Sequence, residues 1–212
     1  MTEIDLEHLK QWEGKRESHE DVISLATAQA MAATLDWQDL PQAGDALAKP
    51  GHWLHFLPTA RQSDISTDGH PKKGGFLPPV PLPRRMWASG KVDFHQALAI
   101  GAAVRRVSTV KSVTHKQGGS GNLVFVVVEH EIFSGDTLAI SDTQNLVYRE
   151  DPAPGAPAPK PMTPKFEAEF SRTVMPDPVL LFRFSALTFN SHRIHYDRNY
   201  AMNEEGYAGL VV

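Results

Sequence analysis

The sequence predicts an α+β fold. Three observations carry this: an Ala- and Leu-rich helical stretch near the N-terminus, several strand-like runs between Gly90 and Glu150, and glycine turns between those runs. A single helix followed by antiparallel strands describes a sheet that can wrap around the helix.

In order along the chain, Ser18-His19-Glu20-Asp21 has the form of a capping box, which predicts a helix over Val22–Leu35. Ala26, Ala30 and Ala33 share one helical face, small enough to lie close against a sheet. From Trp37 to Trp87 the chain is punctuated by Gly and Pro, and an irregular segment is expected. Within it, Pro78 to Pro83 is rigid and extended. Because Trp53, Phe56, Phe76, Leu77, Met86 and Trp87 flank it and favour burial, we read an ordered loop lining a pocket rather than a docking peptide.

Val92-Asp93-Phe94, the Val-rich run from Val104 to Val113, Leu123–Val128 and Leu146-Val147-Tyr148 read as strands. The unbroken apolar run Leu123–Val128 predicts a central strand covered on both faces. Gly118 to Asn122 lies between strand-like runs, so a hairpin turn is favoured over a phosphate cradle. Asp151–Pro164 holds six prolines and reads as a linker between residues 1–150 and 165–212. Beyond it, Phe166, Ala168 and Phe170 alternate as in a strand, Asp177-Pro178 opens a short apolar helix, and Asp197 caps another segment. The last 48 residues, 165–212, are too few for a core of their own, so they are expected to dock on the first unit or to continue in a longer protein.

The 212 residues carry a net charge of −4, which argues against broad phosphate neutralisation and hence against a nucleic-acid partner. With no cysteine there is no thiolate chemistry and no disulfide, which fits a reducing compartment. No run approaches a membrane span, and the N-terminal residues lack the features of a secretory signal, so a cytoplasmic protein is expected.

Most of the chemistry lies in Phe184–Asp197, where Asn190, His192, Arg193, His195 and Tyr196 crowd the end of an apolar run. His192 and His195 form an H-x-x-H pair, as do His52 and His55. Neither has the i,i+4 spacing of zinc hydrolases, and no metal is assigned. Ser185 and Ser191 lack a nucleophile-elbow context. A buried structural histidine remains an alternative, although burying so many polar groups without function is costly.

The stretch Phe184 to Asp197, with Glu205 to Val212, resembles the MaoC-like hydratase/dehydratase family of double hot-dog proteins. Ile194-His195-Tyr196-Asp197 matches the second half of the common G-D-x-N-P-[IL]-H-x-D pattern. The likeness is greater to a branch acting on mesaconyl-CoA and itaconyl-CoA, which carries F-S-A-L-T-F-N-x-H-R-I-H-Y-D. Gly74 to Trp87 resembles the same branch's N-terminal half, a dehydratase-like hot-dog.

The resemblance implies an N-terminal hot-dog over 1–150 and the start of a catalytic hot-dog over 165–212, incomplete in this chain. In relatives, a His-Gly step after Val212 opens a helix whose backbone N–H holds the oxyanion. It further implies a hydro-lyase that adds water to an enoyl-CoA, with a branched C5 dicarboxylic acyl group. His195 is the implied proton carrier. Asn190 stands where the common pattern has an acid and is assigned to orient water, since a carboxamide cannot exchange a proton. Arg193, His192, Arg84 and Arg85 are candidate substrate-binding residues, and Arg105, Arg106 and Lys116 are further candidates for the CoA phosphates. No cofactor is expected beyond CoA within the substrate, and a homodimer is expected. A carrier-protein thioester dehydratase of fatty-acid synthesis and a non-catalytic thioester-binding module are the alternatives.

Overall fold

Val104, Val107, Val110 and Val113 are too β-branched to favour a helix, and they lie on one long strand of the computed structural model. The structure describes residues 3–118, 121–151 and 168–212. Helix α1 is Leu6–Lys10, strand β1 Arg16–Val22 and helix α2 Leu25–Thr34. Then come β2 (Arg84–Phe94), β3 (Ala103–Gly118), β4 (Gly121–Ser134) and β5 (Thr137–Arg149). Helices α3 (Pro178–Leu187) and α4 (Arg198–Asn203) close the chain, with a 3-10 turn at Arg193–His195 between them.

The strands form one antiparallel sheet in the order β1-β3-β4-β5-β2, so β4 is central as expected. Its two faces differ, however. Val124, Val126 and Val128 are at most 2% exposed, while Leu123, Phe125 and Val127 between them are only half-buried. The apolar run therefore follows the alternation of a sheet with one covered face, rather than burial on both. Each fully buried valine contributes about 1.5–3 kcal/mol. Gly118 pairs with Gly121, so the predicted hairpin forms, and Ser134 pairs with Thr137 to close a second.

Four expectations are corrected. Residues 16–22 pair with β3 instead of capping a helix, and α2 starts later, capped by the Ser24 hydroxyl accepting from Thr27 N–H. The buried face of α2 is Ala28, Met31 and Ala32, whereas Ala26 and Ala33 face outward. Strand β2 begins at Arg84, inside the segment expected to be irregular, because its backbone is paired with β5. No strand forms from Ala168 to Phe170, and Phe170 is 83% exposed.

The proline loop packs inward, as read. Val80 and Leu82 join Leu9, Val110, Val124 and Tyr148 in one core cluster, and Lys73 Nζ donates to the carbonyls of Val80 and Leu82. Trp53, Met86 and Trp87, which favour burial, stay exposed. A second cluster seats α2 on the sheet through Ala28 with Ile100, Val104, Ile132 and Ile140. Except for Asp151, the proline-rich linker lies outside the described residues, as does Phe166. Among the described residues no helix is long and apolar enough to cross a membrane.

Candidate functional site

Asp177 caps α3 by accepting from Leu180 N–H, with Pro178 at the first turn. The helix ends at Phe189, whose φ of +48° is in the left-handed region usually taken by glycine. Asn190 N–H bonds back to Ser185 C=O at 2.8 Å and Phe189 N–H to Ala186 C=O at 3.2 Å, which is a Schellman ending. This turn brings Asn190 to a cavity of about 600 Å³ lined also by His70, Arg85, Phe182 and Tyr196. The Asn190 Oδ1 accepts from His192 N–H at 3.0 Å, which leaves the amide NH₂ to donate elsewhere.

His195 sits on the 3-10 turn, with its Nδ1 2.9 Å from Val211 C=O. A carbonyl can only accept, so Nδ1 carries the proton and the neutral ring keeps a lone pair on Nε2. The same turn is held by Val211 N–H donating to Ile194 C=O at 3.0 Å. Asp197 caps α4 through Tyr200 N–H, as expected.

Sequence reasoning missed the loop from Ser66 to His70, which clamps this segment from more than 100 residues away. Arg193 N–H donates to Asp68 C=O at 2.9 Å, Arg193 Nη1 to Thr67 C=O at 3.1 Å, and Ser191 Oγ to Gly69 C=O at 2.5 Å. Gly69 has φ +94°, and a Cβ there would lie 1.7 Å from Ser191 O. The Ser191 hydroxyl is thus used in packing, and no base activates it. The local signal was the Asp68-Gly69-His70 triplet, a turn carrying two ionisable groups; its partner could not be read locally.

Asp68, His70 and His192 bring one donor atom each within 4.8 Å of one another. His70 Nδ1 is 2.9 Å from Asp68 Oδ2, and the His70 and His192 rings meet at a tilt of 39° with centroids 4.0 Å apart. Burial opposes ionisation of Asp68, but hydrogen bonds from the His70 ring and backbone hold its pKa at about 2. Burial, then the neighbouring His70 and His195, push His192 down to about 4, so it is uncharged at neutral pH.

The candidate binding residues separate. Arg193 is engaged through Nε and Nη2 with Asp197 and lies over the Tyr200 ring at 4.0 Å. Arg84 pairs with Asp151 at 2.7 Å and Glu205 at 3.4 Å. His192 lies between His70, which is tilted against it, and His195, which it meets edge-on at 5.5 Å. Arg85 lines the cavity with Asn190. Among the further cations, Arg105 lies over Phe133, Arg106 over Phe56 and Lys116 over Phe125. The other H-x-x-H pair is buried elsewhere: His52 is 3% exposed and 3.3 Å from Asp142.

Comparison with known proteins follows the same lines. The model of the family described as hydroxyacyl-thioester dehydratase type 2 matches residues 48–212. A mesaconyl-C(4)-CoA hydratase of Chloroflexus aurantiacus is 52% identical over 95% of this chain and 72% of its own. A mitochondrial hydroxyacyl-thioester dehydratase type 2 of Schizosaccharomyces pombe is 28% identical over 77% of this chain and 62% of its own. Among solved structures, a MaoC-like dehydratase from Phytophthora capsici has a TM-score of 0.59 at 13% identity, covering 99% of this chain and 72% of that one, which shows the fold. The fold is the α+β hot-dog. The matched residues span the clamp loop, strands β2 to β5 and the Asn190–His195 turn, and the chain belongs to the hydroxyacyl-thioester dehydratase type 2 family of MaoC-like proteins.

Proposed function

We propose that the protein is an acyl-CoA hydratase, a hydro-lyase that reversibly adds water across the C=C of a branched C5 dicarboxylic enoyl-CoA. The observation that carries this reading is the 52% identity over 95% of the chain to a mesaconyl-C(4)-CoA hydratase. Two hydrogen bonds support the roles, although His195 itself is not among the residues lining the Asn190 cavity. His195, with Nδ1–H held by Val211 C=O, offers Nε2 as base to a water. The amide NH₂ of Asn190 positions that water, since Oδ1 is occupied by His192 N–H.

Water oxygen bonds to the β-carbon while His195 takes its proton, and the C=C electron pair moves onto the thioester as an enolate. The α-carbon then takes the proton back, which gives a 3-hydroxyacyl thioester. Metal assistance is not needed for this sequence, and CoA enters as part of the substrate.

The division into residues 1–150, a linker 151–164 and a catalytic unit from 165 belongs to this reading. A homodimer fits the edge strand β2, which exposes Met86 at 41% and Trp87 at 59% beside unpaired backbone. A cytoplasmic setting fits the cysteine-free sequence.

The relative described as a hydroxyacyl-thioester dehydratase favours a second reading, in which a carrier-protein thioester is the substrate; its 28% identity supports it less. Turnover on the same acyl group attached to CoA and to acyl carrier protein separates the two. The hydratase reading predicts a higher kcat/KM on CoA. A clear preference for the carrier protein would overturn it.

A further inference from the structure

The cavity holding Asn190 is walled largely by apolar groups, among them Pro58, Ile65, Phe182, Ala186 and Phe189. Arg85 is the one guanidinium among its lining residues, and no carboxylate lines it. Arg85 stands opposite Tyr148 in the β2–β5 register, and directly opposed residues share a sheet face. Tyr148 is 0% exposed, so Arg85 projects to the inner side and is itself half-buried.

No acid forms an ion pair with Arg85 among the described residues. Its charge adds to the effect of burial in lowering the pKa of Lys73 and of His192. Arg85 hydrogen-bonds Tyr148 and also borders a neighbouring cavity with Glu17, Glu20 and Asp21, but among the described residues it has no ion pair, and such a half-buried positive centre favours a ligand that supplies an anion. The alternatives are committed elsewhere: Arg84 to Asp151 and Glu205, Arg193 to Asp197.

We propose that Arg85 binds the free carboxylate of a dicarboxylic enoyl thioester in this cavity and so selects that substrate class. The inference rests on the hydratase reading above. In a mesaconyl thioester activated at C4, the free carboxylate is on the β-carbon, the atom that water attacks. Its reader must therefore share a cavity with the group that handles water, and Arg85 and Asn190 do so. A guanidinium can take both carboxylate oxygens at once.

A CoA phosphate is the other anion such a group could hold. Crotonyl-CoA and a mesaconyl-C4-type CoA carry the same phosphates and differ in the carboxylate, so the pair separates the two sources. The measurement is kcat/KM on each for the wild type, Arg85→Met and Arg85→Lys. We expect the ratio of dicarboxylic to crotonyl thioester to fall on the order of 100-fold in Arg85→Met, with partial recovery in Arg85→Lys. Both values come from one sample, so any loss of folded protein cancels in the ratio. If Arg85→Met does not fold, Arg85→Lys alone reads a smaller fall. Equal losses on both thioesters would assign Arg85 to the phosphates, and no loss would leave it without a role; either overturns the proposal. A wild type that hydrates neither thioester refutes the hydratase reading itself, before any variant is made.

Discussion

In the proposed reading Asn190 has two separable tasks. Its Oδ1 caps the turn through His192 N–H, and its NH₂ is left for water. Asn190→Asp can still accept that N–H but has no donor to offer. It is expected to unfold at the wild-type urea midpoint, and it restores the acid of the common pattern. Asn190→Ala loses both, with stability down by about 0.5–1.5 kcal/mol for the missing hydrogen bond. Asn190→Ala is also expected to lose hydratase kcat, and equal kcat in Asn190→Ala and wild type would remove the water-positioning role. Gly69 is a sharper case, because an added Cβ meets the Ser191 carbonyl at 1.7 Å on a backbone of φ +94°. Gly69→Ala is expected to destabilise by roughly 2 kcal/mol or more and to loosen the clamp on the site, read by urea midpoint and kcat together. None of this closeness is visible in the residues around Gly69, where it looks like an ordinary turn glycine.

The helix α3 shows which elements a sequence announces. Its start was legible in Asp177-Pro178 because a cap and its helix are neighbours in the chain. Asp197 announced α4 in the same way. Ser18-x-x-Asp21 looked equally like a cap, yet residues 16–22 form β1, since pairing with β3 some 90 residues on outweighs a local preference. The start of β2 at Arg84 was missed for the same reason, as its partner is Arg149. The end of α3 carries its own strain. Phe189 is 59% exposed and held at φ +48°, where a side chain costs roughly 1–2 kcal/mol. Phe189→Gly is expected to raise the urea midpoint, while Phe189→Ala is not; a gain in both would show that the ring, rather than the backbone, is the burden.

Across the molecule, the histidines link protonation to folding. His192 and His130 are both pushed to about 4, each chiefly by burial, with His70 adding at His192 and Arg106 at His130. Unfolded histidine titrates near 6.5. Between pH 6.5 and 4 the unfolded chain therefore binds more protons than the folded one, so stability is full above this window and falls with pH through it. The lowered pKa of Asp68 acts at more acid pH, where its contribution is lost as pH falls from the usual carboxylate range toward about 2. Thermal melting from pH 7.5 to 4 should show a falling Tm, with a shallower fall in His192→Gln; a flat profile would contradict the buried neutral histidines. The candidate stretch was visible in the sequence, since Asn190 to His195 is a contiguous motif. The Thr67–His70 clamp and the want of an ion pair at Arg85 among the described residues were not, because both depend on packing between distant segments.

The central claim is that His195 is the proton carrier of a hydratase. It is tested most directly by the loss of conjugated-thioester absorbance when a mesaconyl-C4-type CoA is mixed with the wild type and with His195→Ala. The account predicts hydration by the wild type and a loss of about 10²–10⁴-fold in kcat for the variant, with an unchanged fold by circular dichroism. A His195→Ala protein that hydrates at the wild-type rate would contradict it.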